Sequence, residues 1–467
     1  MRKGLAMLAV TVFLILVGVG VIVGYYAVRG NGSGTVGVTP RPTKPDLAFK
    51  PFTLNDLLHN KTKVDLAKSG TRIHSAKFVQ IEERTSKLRG LPLKKQVPLV
   101  SCSESVILYQ LISESSDTES VKQTAANQKL LVALGLFQPG QNLEEITIKV
   151  LTEQIAGSYD SKTKEITIVS GKGLGTATDE VTMSHEVTHA LQDQNFDLNK
   201  APLDNPDYNG DEDTAVTSLV EGDATTTMYS YAQTYLTVTQ LMQMQTESQN
   251  VSSVELDRAP LYLRRSLLFP YEDGLTFVEA LQKSDGENQV DNAFRKPPLA
   301  TEQIMNPDVF LAGKGDPRPV PLPDLTPALG KGWSRIDEDA MGEFDLEVWF
   351  EQFAGKTTAT EASEGWAGNT IHYYQGPGTN YTMPNMTAWD TKLDAREFFD
   401  DYVKLLQGRF KGSLEKVGAT STSYVYQANG QFYYCGISGD TTLALQATSR
   451  DTLNTALKSW PQMAPVP

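Results

Sequence analysis

Residues 179–196 read DEVTMSHEVTHALQDQNF, and the pentad His185-Glu186-Val187-Thr188-His189 inside them frames the rest of the chain. On an α-helix, positions four apart lie on one face about one turn apart, so His185 and His189 can aim their imidazoles at a single metal ion. Glu186 follows the first histidine directly and stands at the edge of that face. Its carboxylate can reach water at the metal without ligating the ion, which is the position of a general base. Only five His occur in 467 residues, so composition alone makes a chance pentad rare. The plainer alternative is a solvated helix that carries two histidines and binds nothing.

A catalytic zinc site takes three protein ligands and keeps one coordination position open. Residues 214–235, TAVTSLVEGDATTTMYSYAQTY, read as a second helix, with apolar Val216, Leu219 and Val220 ahead of Glu221. Glu221 is the best third ligand, because a carboxylate on an otherwise apolar stretch needs a compensating partner. Gly222 and Ala224 beside it are small and would let the metal helix approach closely. Asp223 is either an alternative ligand or an acceptor for a histidine N–H, which would fix the tautomer of that histidine.

Ahead of the pentad, residues 153–159, a turn at Asp160-Ser161-Lys162-Thr163 and residues 165–170 (EITIVS) read as a hairpin. Gly171 to Gly175 form a loop into the metal helix, with Thr176 or Thr178 available as its cap. The order is strand, loop, metal helix. Residues 165–170 are expected at a sheet edge, where an extended peptide could add itself by main-chain hydrogen bonds. Further upstream, a helix is expected over 52–67, strands over 73–82 and 96–100, and a helix over 120–136.

HEVTHALQDQ, followed by the EGDA of Glu221 to Ala224, resembles the gluzincin group of zinc metallopeptidases. More closely it resembles a set of uncharacterised bacterial envelope proteins with HExxHALQDQ and EGDA blocks. The similarity continues through Tyr159-Asp160, FPYEDG at 269–274, PPLATEQI at 297–304 and GWAGN at 365–369, so it covers roughly Leu130 to Asn369. It implies a zincin-like fold and one Zn2+ per chain, held by His185, His189 and Glu221. It further implies hydrolysis of a protein or peptide substrate with Glu186 as general base. Thr225 stands one turn after Glu221, where the thermolysin-like branch has an Asp that supports a zinc histidine, so that support does not carry over. A donor for the oxyanion is also required, and Tyr271, Tyr231 and His372 are the candidates. Two other readings stay open: a non-catalytic envelope binding protein that keeps the fold, and a zinc amidase acting on cell-wall material.

The composition bounds the partners. With 42 Lys and Arg against 56 Asp and Glu, the net charge of -14 argues against nucleic acid, which binds basic surfaces. Arg2 and Lys3 precede an uncharged apolar run from Gly4 to Val28, and about 20 such residues suffice to cross a bilayer. A signal anchor is therefore expected, with the amino terminus in the cytoplasm and the catalytic part outside the cell membrane. Cys102 and Cys435 would then either form a disulfide or stay as two buried thiols. The expected organisation is a membrane segment at 1–29, a Gly/Pro/Thr-rich linker at 30–50, an α+β lobe at 51–150, a zincin-like catalytic domain at 151–388 and a small α+β unit at 389–467. In that last unit, helices are expected at 393–406 and 450–460 around strands at 423–427, 432–437 and 442–447. Between the metal helices and that unit, helices are expected at 259–268, 277–282, from 301 and at 344–353, with a strand at 370–375.

Overall fold

A computed structural model describes residues 70–103, 106–107, 118–154, 157–170, 174–248 and 253–463. The expected membrane segment, the linker and the helix at 52–67 lie outside these residues. Among the described residues no helix is long and apolar enough to cross a membrane. The expected fold class is corrected accordingly: the architecture of the described residues is mixed α+β, and no transmembrane helix is shown among them.

In chain order, the elements that build the first half are β1 (Thr71–Ile73), α1 (Ala76–Arg89), β2 (Leu99–Cys102), α2 (Thr118–Leu134), β3 (Gly157–Asp160), β4 (Glu165–Val169), α3 (Ala177–Phe196), α4 (Gly210–Tyr235) and α5 (Leu261–Arg295). Four strands form one sheet in the order β1-β2-β4-β3, with β2 parallel to β4 and the other pairs antiparallel. The expected strand over 73–82 is a helix from Ala76 on. Ser75 caps it by accepting from Phe78 N, and Phe78, Ile81, Glu82, Thr85 and Arg89 repeat at helical spacing on its buried face. Nor is 165–170 an edge: β4 has β2 on one side and β3 on the other, so the edge strand is β3, whose Tyr159 N–H reaches Glu186 on the helix that carries the pentad.

Helix α3 is buried along almost its whole length. Thr176 caps it in a reciprocal pair with Asp179. Val187, Ala190 and Leu191 pack on Ile166 and Ile168 of β4 and on Phe78 and Ile81 of α1, so one apolar core joins the sheet, α1 and the metal helix. Helix α4 starts at the Asn209 cap, again paired with its third residue, Glu212. Two helices expected at 259–268 and 277–282 are one, α5, which runs through Pro270 and is broken only at Asp285 and Gly286. Helices α4 and α5 cross at Gly222 and Gly274, where a Cβ on Gly222 would stand 2.2 Å from Gly274 O. Gly222 therefore admits α5 rather than the metal helix, and that crossing sets Tyr271 of α5 beside Glu221 of α4.

The second half is built mainly on β5 (Ser334–Asp339), α6 (Glu343–Ala354), β6 (Trp366–Gln375), β7 (Tyr381–Trp389), α7 (Lys392–Phe410), β8 (Glu415–Ala419), β9 (Ser423–Ala428), β10 (Gln431–Ser438), β11 (Thr441–Ala447) and α8 (Arg450–Leu457), with short helices before and between them. Its sheet is antiparallel throughout, in the order β5-β6-β7-β11-β10-β9-β8. Strand β7 pairs with β11 from Thr382↔Ala447 to Ala388↔Thr441, so the boundary expected at 388/389 cuts through the middle of a sheet. The boundary expected at 150/151 likewise separates β2 from its neighbour β4. Cys102 on β2 and Cys435 on β10 belong to different sheets, and both are buried thiols with no disulfide. Burial pushes them up to about 11 and about 12.

Candidate metal centre

Helix α3 presents His185 and His189 one turn apart, and α4 brings Glu221 to them. Glu221 Oε2 lies 3.2 Å from His185 Nε2 and 3.4 Å from His189 Nε2, and the two Nε2 atoms are 3.0 Å apart. One donor atom from each of the three residues lies within 4.8 Å of the others, and all three residues are buried. This group can hold a metal ion. Two imidazoles and one carboxylate are a donor set that suits zinc and its borderline neighbours.

Charges in the group follow from burial and proximity. Burial pushes His185 down to about 4, against a partial pull upward from Glu221, so this ring is a neutral donor near pH 7. Burial also works against ionisation of Glu221, yet the facing imidazoles draw it down to about 2. For His189 burial is again adverse, and the Glu221 carboxylate outweighs it and raises the ring.

Glu186 stands beside the group and not in it. Its Oε2 accepts from Tyr159 N of β3 at 2.7 Å, while Oε1 is buried with no hydrogen-bond partner among the described residues. Burial pushes this carboxyl up to about 8. One oxygen is thus fixed by the sheet edge and the other is left to the site. The orphaned oxygen fits a base aimed at water beside a metal ion.

The three candidate oxyanion donors separate cleanly. Tyr271 stacks on the His185 ring, with centroids 6.2 Å apart. Burial, with Glu221 and Glu186 facing it, raises its phenol well above the ordinary value, so it stays a donor. Tyr231 sits at the other end of α3, where its hydroxyl donates to Glu180 at 2.6 Å. His372 lies on β6 against Tyr374 and Arg335. Only Tyr271 belongs to the site.

Asp223 is not a ligand. His189 Nδ1 meets Gln192 Oε1 at 2.9 Å, and Gln192 Nε2 reaches Asp223 Oδ2 at 2.8 Å and Val220 O at 3.0 Å. On its other oxygen Asp223 accepts from Arg89 Nε of α1 at 2.6 Å, and both members of this ion pair are fully buried. Gln192 could have been found in the sequence, since it stands three residues after His189 on the same helix face. Arg89 had no local signal. The other polar letters of ALQDQ also have separate partners: Asp193 takes Tyr159 OH at 2.6 Å and Lys164 Nζ at 2.7 Å, and Gln194 Oε1 takes the backbone N–H of Lys94 and Lys95 at 2.8 and 3.0 Å.

A cavity of about 100 Å³ adjoins Glu221 and Tyr271. Leu130, Leu131 and Leu134 of α2, Leu267 of α5, and Met341 and Phe344 beyond β5 supply its apolar wall.

A family model described as a domain of unknown function, DUF8575, matches residues 331–457. That span holds the complete seven-stranded sheet and its helices, and excludes every residue of the metal group. No curated protein and no solved structure matches the chain.

Proposed function

We infer that the protein is a zinc-dependent endopeptidase. The buried convergence of His185, His189 and Glu221, with Glu186 beside them, carries this reading. The resemblance of HEVTHALQDQ and EGDA to gluzincins directs it to a peptide bond. Zinc, when bound, acts as a Lewis acid that makes water nucleophilic near neutrality and polarises a carbonyl.

The chain's own residues supply the rest. Glu186, held at Oε2 by Tyr159 N, takes the proton of the attacking water at Oε1 and returns it to the leaving amine. Its upward shift to about 8 suits a group that must hold that proton between the two steps near neutral pH. Tyr271 donates to the oxyanion. The leucine-lined cavity beside Glu221 excludes water and accepts an apolar side chain of the substrate.

The test joins metal analysis to catalysis. Purified full-length protein is expected to hold one zinc per chain and to cleave a generic peptide library, with loss of cleavage on chelation. Glu186→Gln is expected to keep the zinc and to lose about 10²- to 10⁴-fold in kcat. Wild-type protein without zinc, or a Glu186→Gln variant that cleaves at the wild-type rate, would sink the reading.

A further inference from the structure

We propose that Arg89, Asp223 and Gln192 are positioning residues that set the tautomer of His189, so that the region ahead of the pentad is an integral part of the metal centre. The proposal rests on the metal-dependent reading above.

The buried polar groups form a chain of donors and acceptors with one solution. Arg89 has only N–H donors, and its side chain is fully buried among carboxylates: Asp223 at 2.6 Å, Asp291 at 2.8 Å and Glu287 at 2.9 Å. Asp223, paired with it, offers acceptors only. Its Oδ2 must therefore face the N–H side of the Gln192 amide, and the second N–H of that amide points at another pure acceptor, Val220 O. With both N–H bonds committed, the amide turns its oxygen to His189, and an amide oxygen cannot donate. The proton of a neutral His189 thus sits on Nδ1, and the lone pair on Nε2 faces Glu221 and His185. Were the amide reversed, an N–H would oppose His189 Nδ1 and the proton would move to Nε2, which then could not ligate. A histidine ligand commonly has its orientation fixed by a carboxylate or carbonyl on its other nitrogen; here a glutamine carries that instruction from a buried arginine one helix away.

A polarity swap tests this. Asp223→Asn leaves an acceptor for Arg89 and places an N–H where Gln192 needs an acceptor, which drives the amide to reverse. Zinc affinity of the full chain, read by competition with a chromogenic chelator, is expected to fall about 10- to 100-fold. Adding Gln192→Glu moves the carboxylate from position 223 to position 192. The introduced amide then donates to the introduced carboxylate, which accepts from His189 Nδ1, while Val220 O loses the donor that Gln192 gave it, so the recovery is partial. This double variant is expected to bind zinc at least about fivefold more tightly than the single one. A merely structural role predicts the opposite order, since the second change would add damage. Gln192→Met, close in volume and without an acceptor, is expected to lose affinity by a similar factor and covers a single variant that fails to fold. Wild-type affinity in Asp223→Asn or in Gln192→Met, or a double variant no tighter than the single, overturns the proposal. Affinity is read without hydrolysis, so a wild-type protein that binds zinc and cleaves nothing would remove the peptidase reading while the variants still decide this one.

Discussion

In the proposed mechanism Tyr271 and Glu186 divide the chemistry beside the candidate metal group between a donor and a base, and the backbone explains why each is where it is. Tyr271 is three residues from Gly274, whose crossing with Gly222 brings α5 within reach of Glu221. Removing only its hydroxyl should leave the stacking on His185 in place. Tyr271→Phe is expected to lower kcat about 10²-fold with KM and zinc content nearly unchanged, as steady-state kinetics on a cleaved peptide would measure. A loss confined to KM would assign the hydroxyl to ground-state binding instead. At this scale the sequence was most readable where chemistry imposes spacing. His185, Glu186 and His189 share a local pattern, and Glu221 betrays itself as a charge among apolar neighbours. Tyr271 was one of three equal candidates, because choosing among them needed the α4–α5 crossing. Arg89 was invisible, since its partners lie 134 and 202 residues away.

Helix α4 carries Glu221 in its middle and an unusual acid at its start. Asp211 is buried, and Thr301 donates to Oδ1 from its backbone N–H at 3.2 Å and from its hydroxyl at 2.5 Å, while Oδ2 has no hydrogen-bond partner among the described residues. Burial, helped by the Asp345 and Glu212 charges, pushes Asp211 up from 3.8 to about 8. Below about pH 4 the folded and unfolded chains both hold this proton. From there to about pH 8 only the folded chain keeps it, so its contribution to stability declines as pH rises and is gone above the folded value. Asp211→Asn keeps the oxygen that Thr301 bonds and cannot ionise. Its melting temperature relative to wild type is expected to rise by roughly 2–4 °C between about pH 5 and about pH 9, as thermal denaturation at the two pH values would measure. A difference that stays flat or falls would show that Asp211 is ionised in the fold. Elements themselves were legible when caps and period agreed, as at Thr176 for α3. They are ambiguous where apolar residues fit two periods: Ile73, Ala76, Phe78, Val79 and Ile81 suit a short strand as well as a helix, and the Ser75 cap and the buried face of α1 against α3 decide for a helix. Strand β7 is not legible in the sequence, because Thr382, Pro384, Asn385 and Thr387 do not read as a core strand, although all nine of its residues are buried.

The whole molecule is two sheets joined by helices, and its divisions differ from those that composition suggests. The candidate metal centre draws on α1 through Arg89, on β3 through Tyr159, on α3 and α4 for the residues that could hold an ion and on α5 for Tyr271, so no single stretch of chain contains it. A loop rich in proline near 317–327 reads as a boundary. In the fold, Arg318 ties this loop to β6 and β7 through the carbonyls of Ala367 and Trp389. The unit that begins after it includes β5, β6 and β7, which a division at 388/389 assigns to the other side. Strand order cannot be read from local pattern, because β7 and β11 are neighbours only after about 50 intervening residues have folded into α7 and three further strands. The match of one family model to 331–457 follows the sheet rather than the composition. A chain fragment covering 389–463 keeps β8 to β11 but lacks β5, β6 and all but the last residue of β7, so β11 loses its β7 pairing and becomes an exposed edge, and the core beside it loses Tyr374, Met386 and Ala388. A fragment covering 331–463 holds every strand of the sheet together with α6, α7 and α8. Circular dichroism on heating is expected to show a cooperative β-rich transition for 331–463 and none for 389–463. A cooperative transition in the shorter fragment would place the boundary at 388/389 after all, and would make β7 an accessory to the sheet instead of an integral strand.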